Sequence, residues 1–411
     1  MNPDPSLDAI GLPHDLDAAS KEESWKPFIE KMSQLDSTEI QRLASDVHKQ
    51  AGTICWSTEE YLASEHGKAN AHVGLFEIHA HPNVDQKPGW WAESPLTRPS
   101  RPLAGLKVLD ITRVIAAPVI GRGLAELGAS VMRVTAPHLC DYSALHCDLN
   151  WGKWNSSLDF RREADREKMR ELVLGADVVI SGYRPGVLDK WGFGQEDILK
   201  LCEKRERGVI YLRENCYGWQ GPWAGRSGWQ QISDACTGIA TSFGRAMGLD
   251  EPVTPVFPNS DYCTGVTGII GVLAALVKQS ETGGSFTVDT ALNYYNQWLA
   301  NSVGEYPADV WQELWARNGR RVFRHYHNML STLPEYVKMM QEQAQDTILR
   351  EEFFQIVESR AIGVDVKLVR PVMQFPQGRV KLGFNVGTRG NGVDEPRWPR
   401  DLGVEMVTKD N

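Results

Sequence analysis

At 411 residues with 42% apolar side chains, the chain is long enough for two or three domains with substantial cores. Its formal charge of -9 and the lack of a basic stripe argue against sequence-independent nucleic-acid binding, which needs clustered cations to displace counterions. The longest apolar run, Ile269 to Val277, falls far short of the roughly 20 residues that span a bilayer, and the polar, acidic stretch from Met1 to Ala19 does not read as a signal peptide.

Helical periodicity runs from Thr38 to Gln50 and from Ser57 to Glu65, with Thr58 as a loose N-cap. Prolines at 82, 88, 95, 99 and 102 mark a surface-wrapping linker and a boundary near residue 100. Strand and helix then alternate. Strands are expected at Lys107 to Thr112, Ser130 to Thr135, Asp177 to Ser181, Gly208 to Leu212 and Ser285 to Asp289. Helices are expected at Val119 to Leu127, Arg162 to Leu174, Glu196 to Glu203, Trp229 to Ile239 and Tyr262 to Lys278. Helices of this length between strands imply right-handed crossovers, hence an α/β fold with a doubly wound parallel sheet over 103–290. Past residue 300 the chain is irregular and charged. Helices are expected near Leu333 to Asp346 and Glu351 to Glu358, with a basic patch at Arg320, Arg321 and Arg324 and a Pro/Gly-rich tail. The expected division is an N-terminal segment with its linker (1–100), an α/β domain (101–305) and an irregular, partly helical C-terminal segment (306–411).

Seven cysteines (Cys55, Cys140, Cys147, Cys202, Cys216, Cys236 and Cys263) are scattered, odd in number and without a Cys-x-x-Cys pair, which points to free thiols in a reducing, cytoplasmic compartment. Cys140, His146 and Cys147 do not match a zinc spacing, so no metal is expected. Several of the 14 tryptophans, among them Trp151, Trp154, Trp191, Trp219 and Trp223, fall in Gly/Pro-rich stretches, which suits either a flat organic ligand or a buried surface between domains.

In an open parallel sheet ligands sit at the carboxyl ends of the strands. Four strand-end loops stand out. Arg113 to Pro118 leads small residues into a helix whose amides could meet an anion, but lacks the Gly-x-Gly-x-x-Gly of a dinucleotide site. Gly182-Tyr183-Arg184-Pro185-Gly186 sets a guanidinium in a tight turn, either for a phosphate or for a surface acid. Asn215 to Trp223 carries glycines that let backbone approach a ligand, or form an ordinary turn. The fourth loop holds Asp261, just ahead of a helix in which Gly265, Gly268 and Gly271 leave a bare stripe for another helix or a flat substrate. A carboxylate there is favoured by the helix dipole and reads equally as an N-cap or as a nucleophile.

Taken in order, these stretches resemble the family III CoA-transferases, the CaiB/BaiF group. The resemblance rests on Pro102 to Asp110, on Leu124-Ala125-Glu126-Leu127-Gly128-Ala129 with Glu126 where the family has aspartate, on Ala176 to Leu188, on Tyr217 to Arg226, on the Asp261 segment and on Glu281-Thr282-Gly283-Gly284. It covers about 103–300. It implies a Rossmann-like CoA-binding domain and an acyl-CoA:carboxylate CoA-transferase. Asp261 would attack the thioester, pass through a mixed anhydride and carry CoA as an aspartyl thioester to an acceptor acid. CoA contacts would fall on Ile115, Ala116, Leu158, Arg161, Gly182, Tyr183, Arg184, Lys190, Asn215, Cys216, Tyr217 and Gly218, and a homodimer is implied. The family also holds 2-methylacyl-CoA racemases, whose histidine is replaced here by Trp229. A further alternative is a CoA-transferase-like binding protein without turnover. Asn150-Trp151-Gly152-Lys153-Trp154 departs from the family's Asn-Arg-Gly-Lys-Arg. The segment from Trp56 to Ile78 resembles the end of the family's small domain, as in a two-copy member with a shortened first copy.

Overall fold

A computed structural model describes residues 4–403 and residue 405; the ends of both outer segments, 1–3, 404 and 406–411, lie outside the described residues. The residues gather into two compact units, each discontinuous in sequence. One comprises Met1–Gly74, Asn215–Ser260 and Ala291–Met339, the other Leu75–Glu214, Asp261–Thr290 and Met340–Asn411. The proline-rich stretch lies inside the second unit.

The second unit is built on a seven-stranded sheet: β1 (Glu77–His81), β2 (Lys107–Ile111), β3 (Ser130–Thr135), β4 (Lys153–Ser157), β5 (Val178–Ser181), β6 (Ile210–Asn215) and β7 (Ser285–Ala291), in the order β1-β7-β6-β5-β2-β3-β4. β2, β3, β4, β5 and β6 pair in parallel, and β1 closes the β7 edge antiparallel, with Glu77 opposite Asp289. From β4 across to β7 this is the doubly wound order, with its switch point between β2 and β5. The sheet is flanked by α1 (Ala116–Glu126), α2 (Ser143–Leu149), α3 (Glu163–Gly175), α4 (Gln195–Leu201) and α5 (Asn259–Thr282).

Strand alternation divides the core in two. Val108, Val131, Val178, Ile180, Ile210 and Leu212 face one way and pack with Ile120 and Leu124 of α1 and Val272, Ala275 and Leu276 of α5. Leu109, Met132, Val179 and Tyr211 face the other way and pack with Met169, Leu172 and Val173 of α3 and Ile198 of α4. Parallel strands covered on both faces read as continuous apolar runs, which is why these four were visible in the sequence. α5 is long and apolar enough to cross a membrane by composition alone, but its Val272, Ala275 and Leu276 are core residues of the sheet.

Several expectations change. β4 was not foreseen, because Lys-Trp-Asn-Ser-Ser is not an apolar run. It is buried nonetheless, with Lys153 ion-paired and Trp154 in the core. Glu351 to Glu358 is not a helix: β8 (Phe354–Ser359) and β9 (Val364–Val369) form an antiparallel hairpin there, as the alternation in Phe-Gln-Ile-Val-Glu-Ser suits. The tail is irregular yet packed: Arg101 donates to the Gly383 carbonyl at 2.8 Å, Trp398 to that of Leu172 at 3.0 Å, and buried Arg389 pairs with Asp394 at 2.9 Å.

In the first unit Ser57, not Thr58, caps the helix Thr58–Ala63. Its hydroxyl accepts from the Glu60 amide at 3.2 Å, and the Glu60 carboxylate accepts from the Ser57 amide at 2.8 Å. The helix expected from Trp229 to Ile239 breaks at Gly238, whose φ is +92° and where a Cβ would lie 2.3 Å from the Thr58 nitrogen. Two of the three arginines of the basic patch are paired with acids, Arg324 with Glu251 and Arg321 with Glu335, while Arg320 donates to Gln312.

Candidate active site

Asp261 is not an N-cap. α5 begins at Asn259, so Asp261 is the third residue of its first turn, half-buried, where the positive end of the helix favours a carboxylate. The glycine stripe that follows is filled by protein. A Cβ on Gly265 would stand 2.4 Å from Cγ1 of Val119 and 2.9 Å from the Ala116 carbonyl oxygen, and one on Gly268 would stand 2.4 Å from Cδ1 of Ile120. These glycines let α1 lie against α5, and they bring the start of α1 to within one helical turn of Asp261.

That start is the strand-end loop at the switch point. Val114 has φ +68°, an unusual state for a β-branched residue, Ile115 is half-buried, and Ala116 is buried as the first residue of α1. The loop after β5 meets it: a Cβ on Gly182 would lie 2.6 Å from that of Ala117. Ile115, Ala116 and Gly182 are therefore brought together at the carboxyl ends of β2 and β5. Leu158, just beyond β4, and Tyr183 belong to one apolar cluster, where burial pushes the Tyr183 phenol up. Arg184, Lys190 and Arg161 are exposed on the same strand-end loops. Lys190 lies over the Trp191 ring, and Arg161 forks onto Asp159 at 2.6 Å.

Asn215, Cys216, Tyr217 and Gly218, at and beyond the end of β6, belong to the first unit, where they close a turn. Asn215 donates to the Gly218 carbonyl at 2.9 Å and accepts from the Gly218 amide at 2.7 Å, while Tyr217 is fully buried with its carbonyl 2.8 Å from Nε2 of His66.

Under α1 lies a pair that spacing alone did not reveal. Lys153 and Asp110, both wholly buried, meet at 2.6 Å, and Lys153 also donates to the Pro118 carbonyl at 2.7 Å. Burial pushes the Lys153 ammonium down and the Asp110 carboxylate pulls it back. Gly121 makes room, since a Cβ there would meet the Asp110 carboxylate at 2.6 Å. Trp151 and Trp154, which replace the family's arginines, are both buried. Trp151 packs on Phe384 and donates to the Cys147 carbonyl at 2.7 Å; Trp154 packs in the core. Neither offers a face to a ligand.

Beside the switch point Arg133, buried, pairs with Asp141 at 2.6 Å, and His146 and Asn391 bond the same carboxylate. Against the upward pull of burial, the His146 bond and the Arg133 charge hold Asp141 well below the usual carboxylate range. Glu77, His79 and Asp289 lie close enough to hold a cation, but Arg213 already takes both Asp289 oxygens, at 2.6 and 2.9 Å.

The model of CoA-transferase family III matches residues 103–337. The chain belongs to that family. This family III member is 52% identical over 410 residues to the acetyl-coenzyme A transferase nodX of Hypoxylon pulicicidum, across 99% of this chain and 69% of that protein. It is 31% identical to an acyl-CoA transferase of Gibberella moniliformis, across 90% of this chain and 65% of that one. The chain thus spans about two thirds of the length of these curated relatives. A CaiB/BaiF family protein from Brucella suis shares the fold, with a TM-score of 0.51 and 22% identity over 71% of this chain and 97% of that one.

Proposed function

We propose that this family III CoA-transferase moves CoA from an acyl-CoA donor to a carboxylic acid through covalent intermediates on Asp261. The observation that carries the reading is the first turn of α5: a half-buried carboxylate at a helix N-terminus, one turn from the glycine that admits α1 and the switch-point loop. A carboxylate oxygen of Asp261 attacks the thioester carbonyl, the carbon–sulfur bond breaks, and the electron pair leaves on the CoA thiolate. The thiolate then attacks the Asp261 carbonyl carbon of the mixed anhydride and expels the donor acid as its carboxylate. The acceptor carboxylate repeats both steps in reverse, so no net proton is consumed.

On this reading CoA lies across the strand-end loops of Ile115, Ala116, Leu158, Gly182 and Tyr183, with its phosphates toward Arg161, Arg184 and Lys190; the first unit's Asn215 to Gly218 are CoA contacts by the family resemblance alone. Arg161 has to share its guanidinium with Asp159. The protein is proposed to act in the cytoplasm, supported by seven free cysteines, and as a homodimer, supported by the family resemblance. The test is to incubate the protein with a panel of acyl-CoAs, trap with hydroxylamine and map the adduct by mass. Modification of Asp261, lost in Asp261→Ala, is expected. A folded protein that turns over CoA without modifying Asp261 would overturn the mechanism.

A further inference from the structure

Glu214, the last residue but one of the sheet's β6, serves none of the structural pairs described so far. Strand alternation puts it on the sheet face of Leu212, whose Cδ1 lies 3.5 Å from where a Gly268 Cβ would stand on α5. Gly268 is two helical turns beyond Asp261, so Glu214 looks toward the first turn of α5. Its neighbour Arg213 points to the opposite face and is committed to Asp289. The other charged pair on Glu214's own face, Asp110 with Lys153, lies under α1 and neutralises itself. On α5 the next titratable group, Tyr262, is pushed up to about 12 by burial and by Asp148. Asp261 is thus the group of α5 whose charge Glu214 feels.

We propose that Glu214 is a positioning residue for the transfer reaction, a carboxyl group held protonated against the Asp261 carboxylate so that the site carries one negative charge rather than two. The proposal rests on Asp261 being the nucleophile. Two anions must approach Asp261 in each half-reaction, the CoA thiolate and a carboxylate, and a second ionised carboxylate there would repel both. The electrostatics agree. Glu214 is half-buried, and burial first and the Asp261 charge second push its carboxyl up to about 8. When Asp261 is acylated its charge disappears, and burial, the larger cause, is what still holds the Glu214 carboxyl protonated as the thiolate returns.

The experiment is kcat/KM for an acyl-CoA from pH 6 to 10, which reports groups of the free enzyme, run beside trapping of the Asp261 adduct. With a midpoint of about 8, kcat/KM falls about tenfold between pH 7 and 9 in the unsubstituted protein. Glu214→Gln, which cannot ionise, abolishes that fall, and Glu214→Asp retains one. An Asp261 adduct with the same alkaline fall in Glu214→Gln, or with none in the unsubstituted protein, overturns the role of Glu214 alone. No adduct on Asp261 overturns the nucleophile and this proposal with it. Titration of the unsubstituted protein carrying 13C-labelled glutamate reads the same group without a substitution. A carboxyl resonance with a midpoint near 8 that moves lower once Asp261 is acylated is expected, and its absence counts against the proposal.

Discussion

Replacing Gly265 by alanine sets two effects of known size against each other. In an exposed helix the change gains about 1 kcal/mol, because alanine loses less backbone freedom than glycine. Here the new methyl would stand 2.4 Å from Cγ1 and 2.5 Å from Cβ of Val119, and 2.9 Å from the Ala116 carbonyl oxygen. Ordinary carbon contacts are about 3.5–4.0 Å. Two of the three obstructing atoms are fixed to the α1 backbone, so no rotamer change relieves them, and α1 has to withdraw by about 1 Å. Overpacking of this kind costs about 1–3 kcal/mol, and the immobile neighbours put Gly265 at the upper end, for a net loss of about 2 kcal/mol. Because α1 begins at the switch-point loop, the same shift moves the loop from Asp261, and a displacement near 1 Å costs about 100-fold in a positioned reaction. Gly268→Ala meets Cδ1 and Cγ1 of the Ile120 side chain and no backbone atom, and should cost less than Gly265→Ala. Urea unfolding and kcat/KM for an acyl-CoA measure both effects. If Gly265→Ala is as stable as the unsubstituted protein and keeps kcat/KM within about twofold, the packing argument is wrong.

Lys153→Met should cost about 3–5 kcal/mol, because it leaves the wholly buried Asp110 side chain without its charged partner. Adding Asp110→Leu should recover most of that loss; equilibrium unfolding of the single and double variants checks it, and a single-variant cost below about 1 kcal/mol would mean the pair is not buried as a pair. Asp234, in the first unit, is pushed up to about 6 by burial, against the pull of bonds from Asn296 at 2.9 Å and from Gln230. Its folded value lies above the unfolded one, so its contribution to stability is complete below about pH 4 and is lost as pH rises through 6, by roughly 3 kcal/mol. Asp234→Asn should flatten the stability–pH curve between pH 4 and 7, and an unchanged slope refutes the assignment.

What was legible in the sequence is what repeats locally. The strands β2, β3, β5 and β7 are apolar runs between helical stretches, and the loops that end β2 and β5 fall where an open sheet binds ligands, so these loops could be singled out before the strand order placed them at the switch point. Residues whose role depends on distant partners were not legible. Lys153 was not singled out within Asn150 to Trp154, because nothing nearby announces Asp110. Glu214 was passed over, because the strand was expected to end at Leu212, whereas it runs to Asn215. The hairpin at 354–369 hid behind a helical charge pattern, and Trp151 and Trp154 left a ligand and a buried surface equally open because their burial depends on Phe384 and the α3 face.

The strained loop ties these points together. A β-branched residue at φ +68° costs about 1–3 kcal/mol, and it persists only if its surroundings allow no other path. Val114 is the last residue but one before α1, and α1 is fixed from three sides: by Lys153 on the Pro118 carbonyl from below, by Gly182 against Ala117 from β5, and by Gly265 against Val119 from α5. Each of these contacts exists because a residue is small or buried rather than because it binds anything. Together they hold the loop's backbone in one unfavourable conformation, one helical turn from Asp261. The proposed mechanism admits two anions in turn and needs its amides and Asp261 fixed before either arrives, and here the rigidity comes from the core beneath the loop.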